Sequence, residues 1–311
     1  MPSRELVILG TASQAPTRHR NQNGYVLRWD GQSILFDPGE GTQRQMILAG
    51  ISPWPIRHIC ITHFHGDHCL GLPGVLQRMS LDGVTHAVDV LFPATGTGYF
   101  RKLRHASVFD DRIDVRPLPV AGNGIVTTDG PLSIVAVRLD HEPETFGWRI
   151  EEAPGRTMLP ERLDAAGVEG EMIGHLQRSG SVDVAGKRVR LEDVSTHRTG
   201  QRMSFVMDTG ICDAAVDLAA DSDLMVCEAT FAGEDEQLAR RFRHLTAADA
   251  ARIARDAGAR RLVLTHFSQR YPDVRPLLDE AASIFPEVIA GEDLRRVPVP
   301  DRARPVGSPP P

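Results

Sequence analysis

The sequence contains few cysteines and no long apolar segment. Its four cysteines, Cys60, Cys69, Cys212 and Cys227, are scattered and form no C-x-x-C pair. This pattern fits a reducing compartment and free, mostly buried thiols rather than a disulfide framework. No run of 18 or more apolar residues occurs, so we expect no membrane span. The N-terminus carries no visible secretory signal. We therefore expect a cytoplasmic protein.

An excess of positive charge is also missing. The chain has 35 basic and 41 acidic residues, a net charge of -6, which argues against indiscriminate nucleic-acid binding by the whole surface. A local basic site is still allowed. The 311 residues, 41% hydrophobic and 24% charged, are ordinary for a globular protein of one large domain or two small ones.

Short apolar runs alternate with helical patterns along the chain. The runs predict strands at residues 6–9, 25–29, 33–36, 59–61, 88–92, 132–139, 146–150, 204–207, 224–226 and 262–264. Helical patterns fit residues 42–48, 70–79, 247–256 and 274–284. The early strands follow one another without long helices, which favours mixed sheets enclosed by helices. We expect one domain over residues 1–297, with an insertion at 153–197 that projects from it, and a disordered tail at 298–311.

The densest group of metal-binding side chains directly follows a predicted strand. The motif H-x-H-x-D-H places His63, His65, Asp67 and His68 within six positions. Imidazole nitrogens and carboxylate oxygens are good zinc ligands, and a mixed set without cysteine favours an open, catalytic site. The alternative, a solvated polar loop, does not account for this spacing.

Three further ligand-type residues lie at or just beyond the ends of predicted strands. They are His141, Asp208 and His266. Each of them alone could be a helix cap or a hydrogen-bonded polar group. Together with the first motif, in this order, they predict one metal centre.

This ordered set resembles that of the metallo-β-lactamase superfamily, and the resemblance covers nearly the whole chain. It implies an α+β fold, a four-layer αββα sandwich with a projecting arm. It also implies two zinc ions per subunit, with His63, His65 and His141 on one, Asp67, His68 and His266 on the other, and Asp208 bridging both. Asp37 would brace the metal loop without binding metal. Two cations about 3.5–4 Å apart suit in-line displacement at a phosphodiester.

Additional motifs resemble the ribonuclease Z family, which removes the 3′ trailer from precursor tRNA. They are F-D-P-G-E-G-T-Q at residues 36–43, G-L-P-G at 71–74, F-G-W-R at 146–149 and L-T-H-F-S-Q-R-Y at 264–271. The segment P-T-R-H-R-N at 16–21 resembles the family's P-x-K-x-R-N loop, with Arg18 in place of lysine. The resemblance implies that Arg18, Arg20 and Asn21 contact the substrate.

Two catalytic loops of the family are present in altered form, as C-E-A-T at residues 227–230 and H-L-T at 244–246. By resemblance, His244 would protonate the departing 3′ oxygen, Glu228 would orient its imidazole, and Asp67 would help to orient or deprotonate the attacking water. An alternative role for His244 is structural, because Thr246 next to it could cap a helix.

The insertion at 153–197 stands where bacterial members of the family carry an arm that grips tRNA. Its segment G-H-L-Q-R-S-G at 174–180 resembles the hand of that arm and suggests Arg178 as a substrate contact. Between residues 153 and 193, however, six basic residues face seven acidic ones. Phosphate contacts drive much of such binding, so a plain surface insertion stays a possible reading.

The sequence thus leads to three hypotheses. The first is a zinc-dependent endoribonuclease that leaves a 3′-hydroxyl on the tRNA and a 5′-phosphate on the trailer. The second is a two-zinc phosphodiesterase with small substrates, and the third is a non-catalytic RNA-binding protein. The resemblance also implies a homodimer with precursor tRNA as its partner. Histidine-rich ligands favour zinc, although manganese or iron can occupy such a site.

Overall fold

The computed structural model describes residues 4–301. Its strands are β1 (Glu5–Gly10), β2 (Gly24–Trp29), β3 (Gln32–Phe36), β4 (Ile56–Cys60), β5 (Val88–Pro93), β6 (Val115–Val120), β7 (Gly124–Asp129), β8 (Leu132–Arg138), β9 (Phe146–Glu152), β10 (Gly155–Met158), β11 (Ser181–Val184), β12 (Lys187–Arg190), β13 (Ser195–Arg198), β14 (Arg202–Val206), β15 (Leu224–Glu228), β16 (Leu262–Thr265), β17 (Val288–Ala290) and β18 (Arg296–Pro298). Its helices are α1 (Thr42–Leu48), α2 (Gly66–Cys69), α3 (Leu72–Leu81), α4 (Thr97–Arg104), α5 (Pro160–Ala165), α6 (Glu171–Ser179), α7 (Asp213–Ala219), α8 (Glu236–Phe242), α9 (Ala247–Asp256) and α10 (Arg275–Ala282).

Two seven-stranded mixed sheets form the main unit, which comprises the described residues up to 151 and from 202 on. The first sheet has the order β18-β1-β2-β3-β4-β5-β6, antiparallel up to β3 and parallel from β3 to β6. The second has the order β17-β16-β15-β14-β9-β8-β7, parallel from β17 to β14. In both sheets the parallel strands are joined by helical crossovers, which gathers their carboxyl ends at one edge.

Hydrophobic residues of both sheets meet in one central core. Phe205 of β14 stacks on Phe36 of β3 at 4.8 Å between ring centroids and meets Tyr25 of β2 edge to face at 5.1 Å. Separate apolar clusters pack α1, α3 and α4 on the outer face of the first sheet, and α7, α9 and α10 on that of the second. The layers are therefore helix, sheet, sheet and helix, which confirms the predicted αββα sandwich.

Local sequence explains several of the element boundaries. Asp30 and Gly31, both with positive φ (48° and 94°), form the tight turn between β2 and β3. Thr246 begins α9 with a capping box, since its hydroxyl accepts from the amide of Asp249 and the Asp249 carboxylate accepts from that of Thr246. Gly258 follows α9 with φ of 67°, the left-handed conformation that glycine adopts at the C-terminal end of many helices.

The insertion forms a second compact unit, Glu152–Gln201, somewhat wider than the predicted 153–197. We expected few strands in it. Instead it contains two antiparallel strand pairs, β10 with β13 and the hairpin of β11 with β12, together with α5 and α6. Leu163, Val168, Leu176 and Val194 are buried in a small core of its own. The sequence pattern missed these strands because each has four residues and at most two apolar positions.

One further expectation needs correction. Residues 298 and 299, which we expected to be disordered, belong to the fold, because Pro298 pairs with Glu5 in β18 and Val299 is buried; residues 302–311 of that prediction lie outside the described residues. His58, which lies outside the metal motif, is only 5% exposed. It lies 3.6 Å from carboxylate oxygens of both Asp89 and Asp129. Among the described residues, no helix is long and apolar enough to cross a membrane.

Candidate metal centre and catalytic groups

The predicted metal motif lies at the carboxyl end of β4, where the chain leaves the first sheet. His65 directly precedes α2, and Asp67 and His68 belong to this one-turn helix. A β-carbon on Gly39 would lie 2.2 Å from the carbonyl of Asp67, and one on Gly71 would lie 1.9 Å from the carbonyl of Gly39. The two glycine motifs therefore permit a close approach of backbones that holds the metal loop in place.

The three downstream residues join this motif from the second sheet. His141 lies beyond β8, Asp208 beyond β14 and His266 beyond β16. Asp208 Oδ2 lies 3.7 Å from Nε2 of His63, 3.3 Å from Nε2 of His68 and 3.4 Å from Nε2 of His266. All seven residues predicted as ligands are therefore assembled in one place.

Three groups of their side chains, one of which includes His244, could each hold a metal ion. His63, His65, His141 and Asp208 make the first, Asp67, His68 and His266 make the second, and Asp208, His244 and His266 make a third that shares one residue with each of the others. Asp208 Oδ1 and Nε2 of both His141 and His266 are buried without a hydrogen-bond partner within residues 4–301. Buried polar atoms normally have partners, and a cation would satisfy all three. The donor set and these unpaired atoms fit a metal centre.

A layer of supporting contacts orients the ligand rings. Asp37 is fully buried and lies 2.8 Å from Nδ1 of His68, and it accepts hydrogen bonds from the backbone and hydroxyl of Thr62 at 2.7 and 2.8 Å. Nδ1 of His141 donates to the carbonyl of Arg243 at 3.0 Å. Such contacts select the ring tautomer and leave Nε2 free for a metal. Asp37 thus has the geometry of the predicted brace.

His244 and Glu228 form the candidate proton-transfer pair. Nδ1 of His244 lies 2.9 Å from Oε2 of Glu228, a fully buried carboxylate at the end of β15. Glu228 also accepts from the amide of Thr209 at 2.7 Å and the hydroxyl of Thr230 at 2.5 Å, and that hydroxyl lies 2.7 Å from Nδ1 of His266. One carboxylate therefore connects the proton donor with residues on both sides of the metal centre.

Electrostatics distinguishes His244 from three of the ligand histidines. Burial lowers the pKa of His244, but the charge of Glu228 and the hydrogen bond to it outweigh burial and raise that pKa to about 9. Burial lowers the pKa of His63 well below 6.5, and that of His65 and His141 below it. Neutral imidazoles bind metal, whereas a charged His244 can donate a proton.

The loop after β1 closes over the metal loop. The amide of Gln14 donates to Oδ2 of Asp67 at 2.7 Å, and Nε2 of Gln22 donates to the carbonyl of Gln14 at 2.8 Å. Oε1 of Gln22 accepts from the amide of Glu40 at 3.0 Å. Asp293 anchors the base of the loop by accepting from the amide of Asn21 at 2.6 Å and the hydroxyl of Thr11 at 2.9 Å. No residue pattern in the sequence pointed to Gln14, Gln22 or Asp293.

The predicted substrate contacts differ in how far the fold already engages them. Nη2 of Arg20 donates to the carbonyls of Ser268 and Tyr271, at 3.3 and 2.8 Å, and Nδ2 of Asn21 donates to those of Gln22 and Glu40. Both side chains hold the loop together. Arg18 is exposed at the tip of the loop, and Arg178 is exposed on α6 of the second unit.

Unfavourable backbone conformations concentrate at this site. Gln14, Asp37, Arg243 and His266 have φ of 61°, 42°, 53° and 58°. Each such residue costs about 1–3 kcal/mol and persists where its surroundings impose it, often at functional sites. Gln14 and His266 border a cavity of about 890 Å³ that is also lined by His65, Asp67, His141, Asp208, Phe242 and His244.

Comparison with known proteins identifies the class of this site. Residues 17–156 match the Metallo-beta-lactamase superfamily and residues 170–267 the Beta-lactamase superfamily domain. The structure resembles human tRNase Z, short form, with a TM-score of 0.69 at 24% identity, covering 96% of this chain and 100% of that one. It also resembles the metallo-beta-lactamase fold protein YhfI from Bacillus subtilis, with a TM-score of 0.70 at 16% identity over the same shares. The chain is a metallo-β-lactamase-fold protein.

Sequence relatives define the family more closely. The chain is 53% identical to ribonuclease Z of Nocardia farcinica over 304 residues, which cover 97% of this chain and all of the relative. It is 52% identical to ribonuclease Z of Streptomyces coelicolor over the same shares. The chain belongs to the ribonuclease Z family, a family of metal-dependent phosphodiester endonucleases.

Proposed function

We propose that this protein removes the 3′ trailer from precursor tRNA, leaving a 3′-hydroxyl on the tRNA and a 5′-phosphate on the trailer. The observation that carries the proposal is the pairing of His244 with Glu228 beside seven converging ligand side chains. A bare hydrolytic metal centre does not need a proton donor held by a buried carboxylate. Cleavage at a 3′ oxygen does, because this leaving group is a poor one until it gains a proton.

The residues of the site have separate roles in the proposed cleavage. Two zinc ions bound by the two groups would lower the pKa of a water and neutralise the phosphate oxygens. Asp67 accepts from the amide of Gln14 and keeps its other oxygen for orienting the water. As the water oxygen bonds to phosphorus, the bond from phosphorus to the 3′ oxygen breaks. His244, with Nδ1 held by Glu228, delivers the proton to that oxygen from its Nε2.

The second candidate keeps this chemistry but acts on small phosphodiesters. Its supporting observation is the second unit, in which six basic residues face seven acidic ones between positions 153 and 193. Without net positive charge, this unit gains little from counterion release on tRNA. The third candidate, RNA binding without turnover, does not explain why the proton donor and all seven ligand side chains are present.

Zinc, two ions per subunit, is the proposed metal because five of the seven ligand residues are histidines. A homodimer in which the arm of one subunit serves the active site of its partner, and a cytoplasmic location, are further parts of the proposal.

The proposal is tested with one end-labelled precursor tRNA and one small chromogenic phosphodiester, each incubated with the zinc-loaded protein. A single cut after the last nucleotide of the mature acceptor strand, with a 3′-hydroxyl on the tRNA, supports the endonuclease. Turnover of the small ester with intact tRNA would transfer the assignment to small phosphodiesters. Binding of tRNA without turnover of either substrate would favour the third candidate.

A further inference from the structure

Phe242 occupies an unusual position at the rim of the cavity. It is 51% exposed, and Leu70 on the same rim is 53% exposed. Single exposed apolar residues are normal on a protein surface. Phe242, however, lies two positions before the candidate proton donor and lines the same cavity. The cavity's other phenylalanine, Phe231, is only 5% exposed and has the guanidinium of Arg270 over its ring at 5.6 Å.

A constrained turn links Phe242 to the catalytic machinery. Phe242 ends α8, and Arg243 follows with φ of 53° and ψ of 55°. The amide of His244 bonds back to the carbonyl of Ala239 at 2.9 Å, while the carbonyl of Arg243 accepts from Nδ1 of His141. Because both sides of this turn are fixed, the place of Phe242 at the rim is determined by the same contacts that aim His244 into the site.

We propose that the ring of Phe242 is a stacking platform for the unpaired base of the nucleotide that carries the departing 3′ oxygen, the last nucleotide of the mature acceptor strand. This inference rests on the proposed function. His244 must reach that oxygen to protonate it, so the nucleotide that contains this oxygen lies next to residues 242–244. Its base is unpaired, so it can offer a face on which an aromatic ring can stack.

The surroundings suit a nucleobase better than another apolar group. The guanidinium of Arg241 lies over the ring of Phe242 at 5.3 Å from its centroid, and a different cation, Arg270, lines the cavity. Aromatic platforms flanked by basic side chains are the usual way in which proteins hold single-stranded nucleic acid without reading its sequence. Phe242 would therefore contribute to binding whichever base occupies this position.

The experiment is a double-mutant cycle between the protein and the substrate. Wild type and Phe242→Ala are compared on a precursor tRNA and on the same tRNA with an abasic last acceptor nucleotide. On the normal substrate, Phe242→Ala should lower kcat/KM about tenfold, within the range measured for loss of one base-aromatic stack. On the abasic substrate, the kcat/KM values of the two proteins should differ little. A third variant, Phe242→Trp, keeps an aromatic ring and should have the wild-type kcat/KM on the normal substrate.

A matched control is Trp54→Ala, because Trp54 is 47% exposed but does not line the cavity; it should leave both rates unchanged. Zinc content and thermal melting of each variant establish that the site and the fold are intact. A loss caused by Phe242→Ala that is equal on normal and abasic tRNA, or no loss, overturns the platform while the proposed function stands. Failure of wild type to cut any tRNA overturns the proposed function, and the platform with it.

Discussion

The backbone amide of Gln14 donates a 2.7 Å hydrogen bond to Oδ2 of Asp67, a residue 53 positions away in the metal loop. Gln14 has φ of 61°, and the side chain of Gln22 holds its carbonyl from the opposite side. Asp67 therefore depends on the loop after β1 for the orientation of its carboxylate. A change in that loop reaches the metal centre through one amide.

Replacement of Gln22 by leucine should weaken the metal centre without removing a ligand. Leucine has nearly the same size but cannot make the hydrogen bonds to Gln14 and Glu40. The amide of Gln14, which donates to Asp67, is then no longer held in place. Loss of a contact behind a ligand commonly costs 10–100-fold in metal affinity or activity, and we expect about tenfold in zinc affinity, measured with a competing chelator. Gln77→Leu, whose amide bonds only to exposed Ser107, is the control. Equal zinc affinity in both variants would show that the loop does not support Asp67.

The variant His244→Ala should fold, keep both zinc ions and lose about 10²–10⁴-fold in kcat, the usual contribution of a positioned acid. The reason is that Nδ1 of His244 is hydrogen-bonded to Glu228, and the two predicted ligand groups, His63, His65, His141 and Asp208 and Asp67, His68 and His266, are complete without it. Metal content by atomic spectroscopy and single-turnover cleavage measure the two properties separately. Loss of metal in proportion to the loss of activity would assign His244 to metal binding instead.

Glu228→Gln should move the alkaline limb of the pH-rate profile. The donor is the imidazolium, and because Glu228 raises the pKa of His244 from 6.5 to about 9, the donor is present below that pKa and is lost above it. Removing the charge lowers the pKa, so the limb should shift to lower pH by about one to three units. Thermal melting must accompany the profile, since Glu228 also accepts from Thr209 and Thr230. An unshifted limb in a folded variant would rule out this pair as the proton donor.

The second unit can be deleted where its two ends are hydrogen-bonded to each other. The amide of Glu152 bonds to the carbonyl of Gln201 at 2.9 Å, and Glu151 pairs with Arg202 across β9 and β14. Replacing residues 153–200 by an Asn-Gly turn should therefore close the hairpin without strain. We expect cleavage of precursor tRNA to fall at least about tenfold more than hydrolysis of a small aryl phosphodiester, because only the long substrate offers phosphates beyond the site. Equal losses would mean that the unit is structural.

By itself, the sequence determined the chemistry of this protein. Metal ligands need particular residue types just beyond strand ends, so the sequence shows His63, Asp208 and His266 directly and in the expected order. It also shows the strands that position them, as short apolar segments. The same runs predict mixed sheets enclosed by helices, because each must bury its apolar face, and the resemblance to the superfamily supplied the four-layer αββα arrangement.

Only the tertiary structure decided how those groups are supported and approached. Gln14 acts through its backbone N–H, which every residue except proline possesses, so the residue type at this position does not predict the contact. The sequence suggests Arg20 and Asn21 as substrate contacts, and only the fold shows that their side chains also hold the loop after β1 together. The exposure of Phe242 likewise depends on elements distant in sequence. Contacts of this kind arise from long-range packing, which local patterns do not encode.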